Sequence, residues 1–467
     1  MLFNSYVFVL AFLPAVLLGW WLLPGTRGRL WLLTLASYLF YGWWDWRFVP
    51  LMLVSTSADF AAGAYLGRTE VPGRRRACLV LLLALNLGIL GVFKYYDFFA
   101  GSLNGLGRAL GAPLDLPLIH LVLPVGISFY TFNSISYTID IYRRRLQPAR
   151  SLLEFSAFVA MFPHLVAGPI VRYADLAPQF ARLTRRPDRA LWAMGTWFLV
   201  TGMAKKVLLA DPIAAHVVTP LWSRVPLLDT LEAWVALLGY TLQIYFDFSG
   251  YSDMAIGLAA LLGFRFPQNF DAPYQARNIA EFWRRWHMSL SFWLRDYLYI
   301  PLGGNQHGRL CTLRNLVLVM FLGGLWHGAA WTFVLWGLYH GALLAGHAVF
   351  RERGWVPRSP ALATAATFLA VALGWVLFRA ASLSEAGLLF RRLVGFGPAG
   401  EGGNLGLVGL PIVVALLSAG GAIAWFVPDP WHWRLPRSRL TGAALAVVFL
   451  LAILRFASPS PFLYFQF

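Results

Sequence analysis

The sequence predicts an all-α, polytopic integral membrane protein, on three observations: its composition, the recurrence of apolar stretches of membrane-spanning length, and the placing of its positive charges. Of 467 residues, 59% are hydrophobic and 13% charged, with 21 Trp, 18 Tyr and 36 Phe, whereas soluble domains carry about 25% charged residues. Such a chain cannot cover a water-exposed surface. Apolar runs such as Tyr6 to Leu23, Cys78 to Phe93 and Leu440 to Leu454 approach the ~20 residues that cross a bilayer, and they lack the polar stripe of a soluble core helix.

The net charge of +17 would suggest nucleic acid in a soluble protein, but here the Lys and Arg stand in short clusters between apolar runs, so a lipid bilayer and no nucleic acid is the expected surrounding. Reading Arg27 and Arg29, Arg68 with Arg74 to Arg76, Arg143 to Arg145, and Arg182 to Arg189 as cytoplasmic puts the N-terminus outside. Gly101 to His120 then falls outside, Arg351 to Arg358 and Arg434 to Arg439 inside, and Phe467 outside. The pair Arg391 and Arg392 lands on the outer side in this count, which marks a miscounted or re-entrant segment.

Met1 to Leu23 has no basic n-region and no small-residue cleavage site, and reads as a retained first span with the mature chain beginning at Met1. Cys78 and Cys311 both flank cytoplasm-side segments, so neither a disulfide framework nor a thiolate metal site is expected. Tyr38 to Trp46 gathers aromatic residues at the end of an apolar run, as an interface belt does. Gly101 to Leu118 reads as an outer loop leading into a span at Pro124. Phe162 to Tyr173 sets two prolines and a glycine in apolar surroundings, which predicts a broken or re-entrant helix. Gly395 to Gly406 is a further glycine-rich connection, and with no fixed-period repeat the simplest organisation is a single membrane-embedded domain over residues 1–467.

The stretch from Gln243 to His340 is the least ordinary, because it mixes ionisable groups with Trp, Phe and Leu, and polar residues at membrane depth point to function. Three strings stand out: FDFSGYSDMAIG at Phe246 to Gly257, NFDAPYQARNIAEFWRRWHMSLSFWLRDYLYIPLGG at Asn269 to Gly304, and FLGGLWHGAAWTFVLWGLYHG at Phe321 to Gly341. With VGISFYTFNSISYTIDIYR at Val125 to Arg143, FPHLVAGPIVRY, GMAKKVLLAD at Gly202 to Asp211 and the terminal PFLYFQF, they resemble the bacterial branch of the membrane-bound O-acyltransferase family over nearly the whole chain. The resemblance is to the alginate O-acetyltransferase type.

That resemblance implies a ring of about 11 transmembrane helices, with re-entrant and interfacial helices, enclosing a tunnel in the bacterial inner membrane. It implies a catalytic histidine in an apolar helix, which falls on His327 of the Trp326-His327-Gly328 string, and a second family histidine on His287. The residues around His327 agree with this. The imidazole stands among Leu325, Trp326, Ala329 and Ala330, with Gly323, Gly324 and Gly328 allowing close approach, and a neutral imidazole with a pKa near ~6.5 can take a proton from a hydroxyl in an apolar site. The alternative is a core histidine hydrogen-bonded between helices. His287 could orient a thioester donor or assist His327, or could instead be solvated at the interface or stacked on Trp283 or Trp286. Arg284, Arg285, Trp286, Asp296 and Trp326 are the candidate donor path, although Arg277, Arg284, Arg285 and Arg295 are also what a cytoplasmic loop requires.

No metal is expected, since neither His327 with His340 nor His287 with His327 has the spacing of a helical ligand pair. His164 reads as a structural hydrogen-bonder, and Lys205 and Lys206 as partners for acidic groups near Asp211. No phosphate loop, G-x-S-x-G elbow or cysteine nucleophile accompanies the apolar segments. The resemblance further implies acetyl-CoA as donor rather than a bound cofactor, an exported polysaccharide as acceptor, and a periplasmic or membrane-tethered partner transferase with a Ser-His-Asp site. Transfer of D-alanine or acetyl to teichoic acid, peptidoglycan or cellulose is the alternative cargo. A transporter or channel without chemistry, or a non-catalytic scaffold, are the other classes.

Overall fold

The computed structural model describes residues 1–184, 186–354, 357, 359–396, 405–406, 409–433, 438–456 and 462–463, and among them there are helices and turns but no strand. Five segments, Thr26–Arg68, Pro72–Ala109, Gly308–His327, Trp331–Glu352 and Pro360–Arg379, are long and apolar enough to cross a membrane, and Val7–Leu22, Leu410–Phe426 and Arg439–Ile453 are shorter apolar helices. The chain is thus a multi-pass helical membrane protein. Its contacts group into two compact units, residues 1–196 with 255–267, and residues 197–254 with 268–467.

In the first unit, π-helical turns at Val7–Phe12 lead into α1 (Leu13–Leu22), α2 (Thr26–Asp45), α3 (Val49–Arg68), α4 (Pro72–Leu90) and α5 (Tyr96–Ala109), then α6 (Ile127–Tyr142), α7 (Leu152–Val159), α8 (Phe162–Leu165), α9 (Tyr173–Phe180) and the start of α10 (Arg189–Met203). Proline stands in the first turn of α1, α3 and α4, where its missing N–H costs no hydrogen bond. The core is aromatic: Phe3, Phe8, Phe12, Phe40 and Phe162 pack with ring centroids 5.0 Å apart for Phe3–Phe8 and 5.3 Å for Phe12–Phe162. Buried Arg75 donates to the carbonyls of Leu66 in the last turn of α3 and of Thr69 just after it, and to those of Ile141 and Tyr142 at the end of α6. One cation thereby satisfies the open carbonyl ends of two helices and opposes their negative dipole ends.

The Phe162 to Tyr173 segment is a one-turn helix, α8, followed by irregular backbone, and all of Phe162 to Val171 is buried. His164 is the hydrogen-bonder expected there, with Nε2 3.0 Å from the Phe158 carbonyl and Nδ1 3.5 Å from Asn133. The outer-loop reading of Gly101 to Leu118 requires correction, because α5 runs helically to Ala109. The glycines hid a helix that is held from outside: Asn104 makes two hydrogen bonds with Leu116, of 2.9 and 3.0 Å, and Asp97 accepts from Ile119 and His120 at 2.8 and 2.9 Å. The returning strand of chain supplies what propensity does not.

In the second unit the end of α10 continues through π-helical turns at Ala204–Ala210, α11 (Asp211–Ile213), further π turns and α12 (Thr219–Trp222). The long α13 (Thr230–Leu261) follows, then α14 (Ile279–Arg285), α15 (Met288–Leu294), α16 (Gly308–His327), α17 (Trp331–Glu352), α18 (Pro360–Arg379), α19 (Leu383–Leu393), α20 (Leu410–Phe426) and α21 (Arg439–Ile453). The π turns let two successive lysines both reach acidic partners. Lys205 meets Asp253 at 2.7 Å, and Lys206 meets Asp247 at 2.6 Å and Asp211 at 2.8 Å. The sequence suggested pairing near Asp211, and the structure adds the two aspartates of α13.

Arg391 and Arg392 lie in the last turn of α19. The helix has eleven residues, capped by Ser382, whose hydroxyl accepts from the Glu385 N–H, and at 1.5 Å per residue it is too short to span. Arg392 turns inward and donates to the Pro226 carbonyl. This short helix stands where the charge count marked a miscounted or re-entrant segment. Most of Gly395 to Gly406, the Arg434 to Arg437 part of the last basic cluster, and Phe467 lie outside the described residues.

Candidate functional site

The second unit brings His287 and His327 to one place. His327 ends α16, and the chain turns through extended Gly328 into α17. These two helices form a tight antiparallel hairpin. A Cβ at Gly324 would stand 2.3 Å from the Phe333 carbonyl oxygen, and one at Gly337 would stand 2.4 Å from the Met320 carbonyl oxygen. Backbone therefore meets backbone where the glycine pattern predicted close approach, and His327 is fixed at the end of the contact. Its ring is 6% exposed and enclosed by Trp326 at 4.9 Å, Trp336 at 5.1 Å and Phe378 at 5.2 Å, all edge to face.

His287 lies one indole away, with the Trp326 ring centroid 6.1 Å from its own. It is fully buried and packs edge-on to Phe248 at 4.7 Å, so the readings that solvated it at the interface or stacked it on Trp283 or Trp286 do not hold. Its backbone is left-handed, with φ 43° and ψ 54°, at the cap of α15. That conformation is costly for a residue with a side chain and persists where the surroundings fix it.

The fixing residue is Asn269, which sequence reasoning missed. Its Oδ1 accepts from the Ser289 N–H at 3.2 Å, the Ser289 hydroxyl at 2.8 Å and His287 Nδ1 at 3.2 Å, while its Nδ2 donates to Ser252 Oγ at 2.9 Å. The Asn269 carbonyl also accepts from the Met288 N–H at 2.9 Å. A backbone N–H can only donate, so the side-chain atom facing Ser289 is the oxygen, and the imidazole nitrogen beside it must carry its proton. The neutral ring then has a lone pair on Nε2, which is buried and has no hydrogen-bond partner among the described residues. An imidazole held in this tautomer can accept a proton from a substrate.

His340, weighed from the sequence only as a metal ligand, stands next in the same aromatic wall. Trp336 is 4.8 Å from it and Trp283 5.2 Å, it is fully buried, and neither ring nitrogen has a hydrogen-bond partner among the described residues. Of the candidate donor-path residues, Trp326 separates the two histidines, whereas Trp286 is a core ring against Trp375 at 4.9 Å and Phe270 at 5.1 Å. Arg285 pairs with Glu281 at 2.8 Å and donates to the Asp271 carbonyl at 3.2 Å. Arg284 is exposed and lies with Arg351 in electrostatic range of His347. Asp296 pairs with its neighbour Arg295 at 2.6 Å.

A helical membrane protein with two buried imidazoles in an aromatic enclosure, one of them held by Asn269, has groups able to take up a proton away from bulk water. The profile of the membrane-bound O-acyltransferase family matches residues 144–360. The chain is 42% identical to a probable alginate O-acetylase of Pseudomonas putida over the full length of both proteins. It is 45% identical to the probable alginate O-acetylase of Pseudomonas aeruginosa over 96% of this chain and 86% of that one. It is 37% identical to the peptidoglycan O-acetyltransferase of Helicobacter pylori over 85% of this chain and 80% of that one. The chain belongs to the membrane-bound O-acyltransferase family and is an O-acyltransferase of its alginate O-acetylase-like branch.

Proposed function

We propose that this enzyme moves an acetyl group from cytoplasmic acetyl-CoA through the inner membrane for O-acetylation of an exported polysaccharide such as alginate. The acetyl group would pass to a periplasmic or membrane-tethered partner transferase. The observation that carries the chemistry is the pair of buried imidazoles flanking Trp326, one of them backed by Asn269. The choice of polysaccharide rests on the alginate O-acetylases, which match the chain over nearly its whole length. Peptidoglycan is the second cargo, favoured by the Helicobacter pylori relative.

In this reading His327 is the general base. It removes the proton from an acceptor hydroxyl as the oxygen attacks the thioester carbon, the C–S bond breaks, and the proton passes from the imidazole to the departing thiolate. A transient acyl-histidine is the other route open to the same residue. His287, with Nε2 as an acceptor, supports the transfer from the other side of Trp326. Arg284 with Arg351 is the charge suited to the donor's phosphates. The whole would sit in one domain over residues 1–467, a ring of about 11 spans around a tunnel with the N-terminus outside. The large charged donor then stays in the cytoplasm while the small acyl group crosses.

The test is transfer of radiolabelled acetyl from acetyl-CoA, supplied outside inside-out vesicles, to an acceptor within, for wild type, His327→Ala and His287→Ala at matched protein levels. Loss of about 10²-fold or more is expected for His327→Ala. Undiminished transfer by His327→Ala would remove it from catalysis and restore the channel or scaffold reading.

A further inference from the structure

Away from the histidines, the first unit contains a half-open cavity of about 290 Å³ whose lining includes Trp21, Gln179, Arg182, Leu191, Leu262 and Arg265. It is a built feature. The Gln179 side chain clamps the backbone of Arg265 from both sides, accepting from its N–H at 2.8 Å and donating to its carbonyl at 3.1 Å, and donates also to the Asp175 carbonyl at 2.9 Å. Trp21 donates from Nε1 to the Leu261 carbonyl at 3.1 Å. Behind it, buried Arg29 lies over the Trp21 ring at 5.4 Å and binds the carbonyls of Leu23 and Thr184.

The charge is one-sided. Arg182 and Arg265 are exposed at the rim and neither is in an ion pair with a carboxylate among the described residues. The one carboxylate in the lining, Asp188, is engaged as the cap of α10, accepting from the Ala190 N–H at 2.7 Å. The apolar part of the lining, by contrast, lies deeper, with Leu191 and Leu262 buried and Trp21 and Leu183 half-buried. The cavity also stands where an exposed apolar helix surface gives way to a basic one. On α1, Leu18 and Leu22 are 64% and 71% exposed, and just beyond the helix end come Arg27 and the Arg182 to Arg189 cluster. Trp21 pairs with Trp192 at 6.3 Å at that level, as aromatic residues do at headgroup depth.

We infer that this cavity binds the phosphate of an anionic glycerophospholipid, with Arg182 and Arg265 on the phosphate and the apolar Trp21, Leu191 and Leu262 against the start of an acyl chain. Two exposed cations with a deeper apolar lining suit an amphiphile better than a soluble anion, and basic pockets between membrane helices are a recurrent way of holding such headgroups. The inference is independent of the acyl-transfer chemistry.

The test is native mass spectrometry of the full chain released from nanodiscs containing phosphatidylglycerol and phosphatidylcholine. Wild type is compared with Arg182→Gln/Arg265→Gln and with a control, Arg186→Gln/Arg189→Gln, which removes two exposed arginines outside the lining. The expected result is retained phosphatidylglycerol on wild type and control, with occupancy lowered by about tenfold in the pocket variant. Equal retention in all three proteins, or equal loss in both variants, would overturn the site. Displacement of the lipid by millimolar inorganic phosphate or coenzyme A would overturn the lipid assignment in favour of a soluble phosphate.

Discussion

Removing the Asn269 side chain should disable His287 without touching either histidine. In Asn269→Ala, three donors lose their common acceptor: the Ser289 N–H, the Ser289 hydroxyl and His287 Nδ1, now at 3.2, 2.8 and 3.2 Å. At about 1 kcal/mol for each buried hydrogen bond the loss is about 3 kcal/mol. If it appears in the orientation of the ring, it amounts to roughly a hundredfold in rate, since ~1.4 kcal/mol is a factor of ten. Asn269→Asp keeps the acceptor oxygens but loses the donor to Ser252 Oγ and sets a negative charge beside the imidazole. That charge favours the protonated ring, so the acidic limb of the pH–rate profile should move to higher pH while the rate at its optimum falls less than in the alanine variant. The assay is vesicle acetyl transfer at matched protein levels from pH 5 to 9. An alanine variant with wild-type transfer, or an aspartate variant with an unmoved profile, would refute the coupling of Asn269 to His287.

Gly337→Leu should destabilise the α16–α17 hairpin by about 1–3 kcal/mol and misplace His327, because a Cβ there would already stand 2.4 Å from the Met320 carbonyl; thermal unfolding in detergent and transfer activity should fall together. Lys206→Met leaves Asp247 and Asp211 without the cation now at 2.6 and 2.8 Å, and should cost about 3–5 kcal/mol. Adding Asp247→Asn should restore part of that loss in the same melting assay. His340→Phe keeps the aromatic packing and removes two buried nitrogens that bond to nothing among the described residues, so stability should hold or rise by about 1 kcal/mol. A fall in melting temperature would point instead to a bound water or substrate group on His340.

The membrane class, the broken Phe162 segment and the inward lysines were legible in the chain, because each rests on local composition or on residue types that a bilayer penalises, whereas His327 and His287 were singled out by the motifs they share with a family. Asn269 was not. It lies eighteen residues before His287, with the short helix α14 between them, and nothing in a lone asparagine among aromatics tells that its oxygen meets a backbone N–H at Ser289. Only the left-handed turn at His287 brings them together. The helix through Gly101 was hidden for a different reason. Its stability comes from Asp97 and Asn104 binding the chain that follows it, and such contacts leave no mark on hydropathy.

The joined charges of Lys206, Asp211 and Asp247 also bear on how the protein is made. Lys206 and Asp247 belong to different helices, and either one entering the bilayer alone would carry an ion into hydrocarbon at a cost of about 2.5–3.5 kcal/mol. Asp211 offers Lys206 a local companion from the next turn, but Asp247 has no such neighbour of its own and meets its cation only when both helices are present. The ribosome delivers Lys206 and Asp211 first, as a pair, so the cation that Asp247 needs is already held in place when α13 is synthesised. The order of synthesis thus lets the later helix complete a charge cluster that the earlier one has begun.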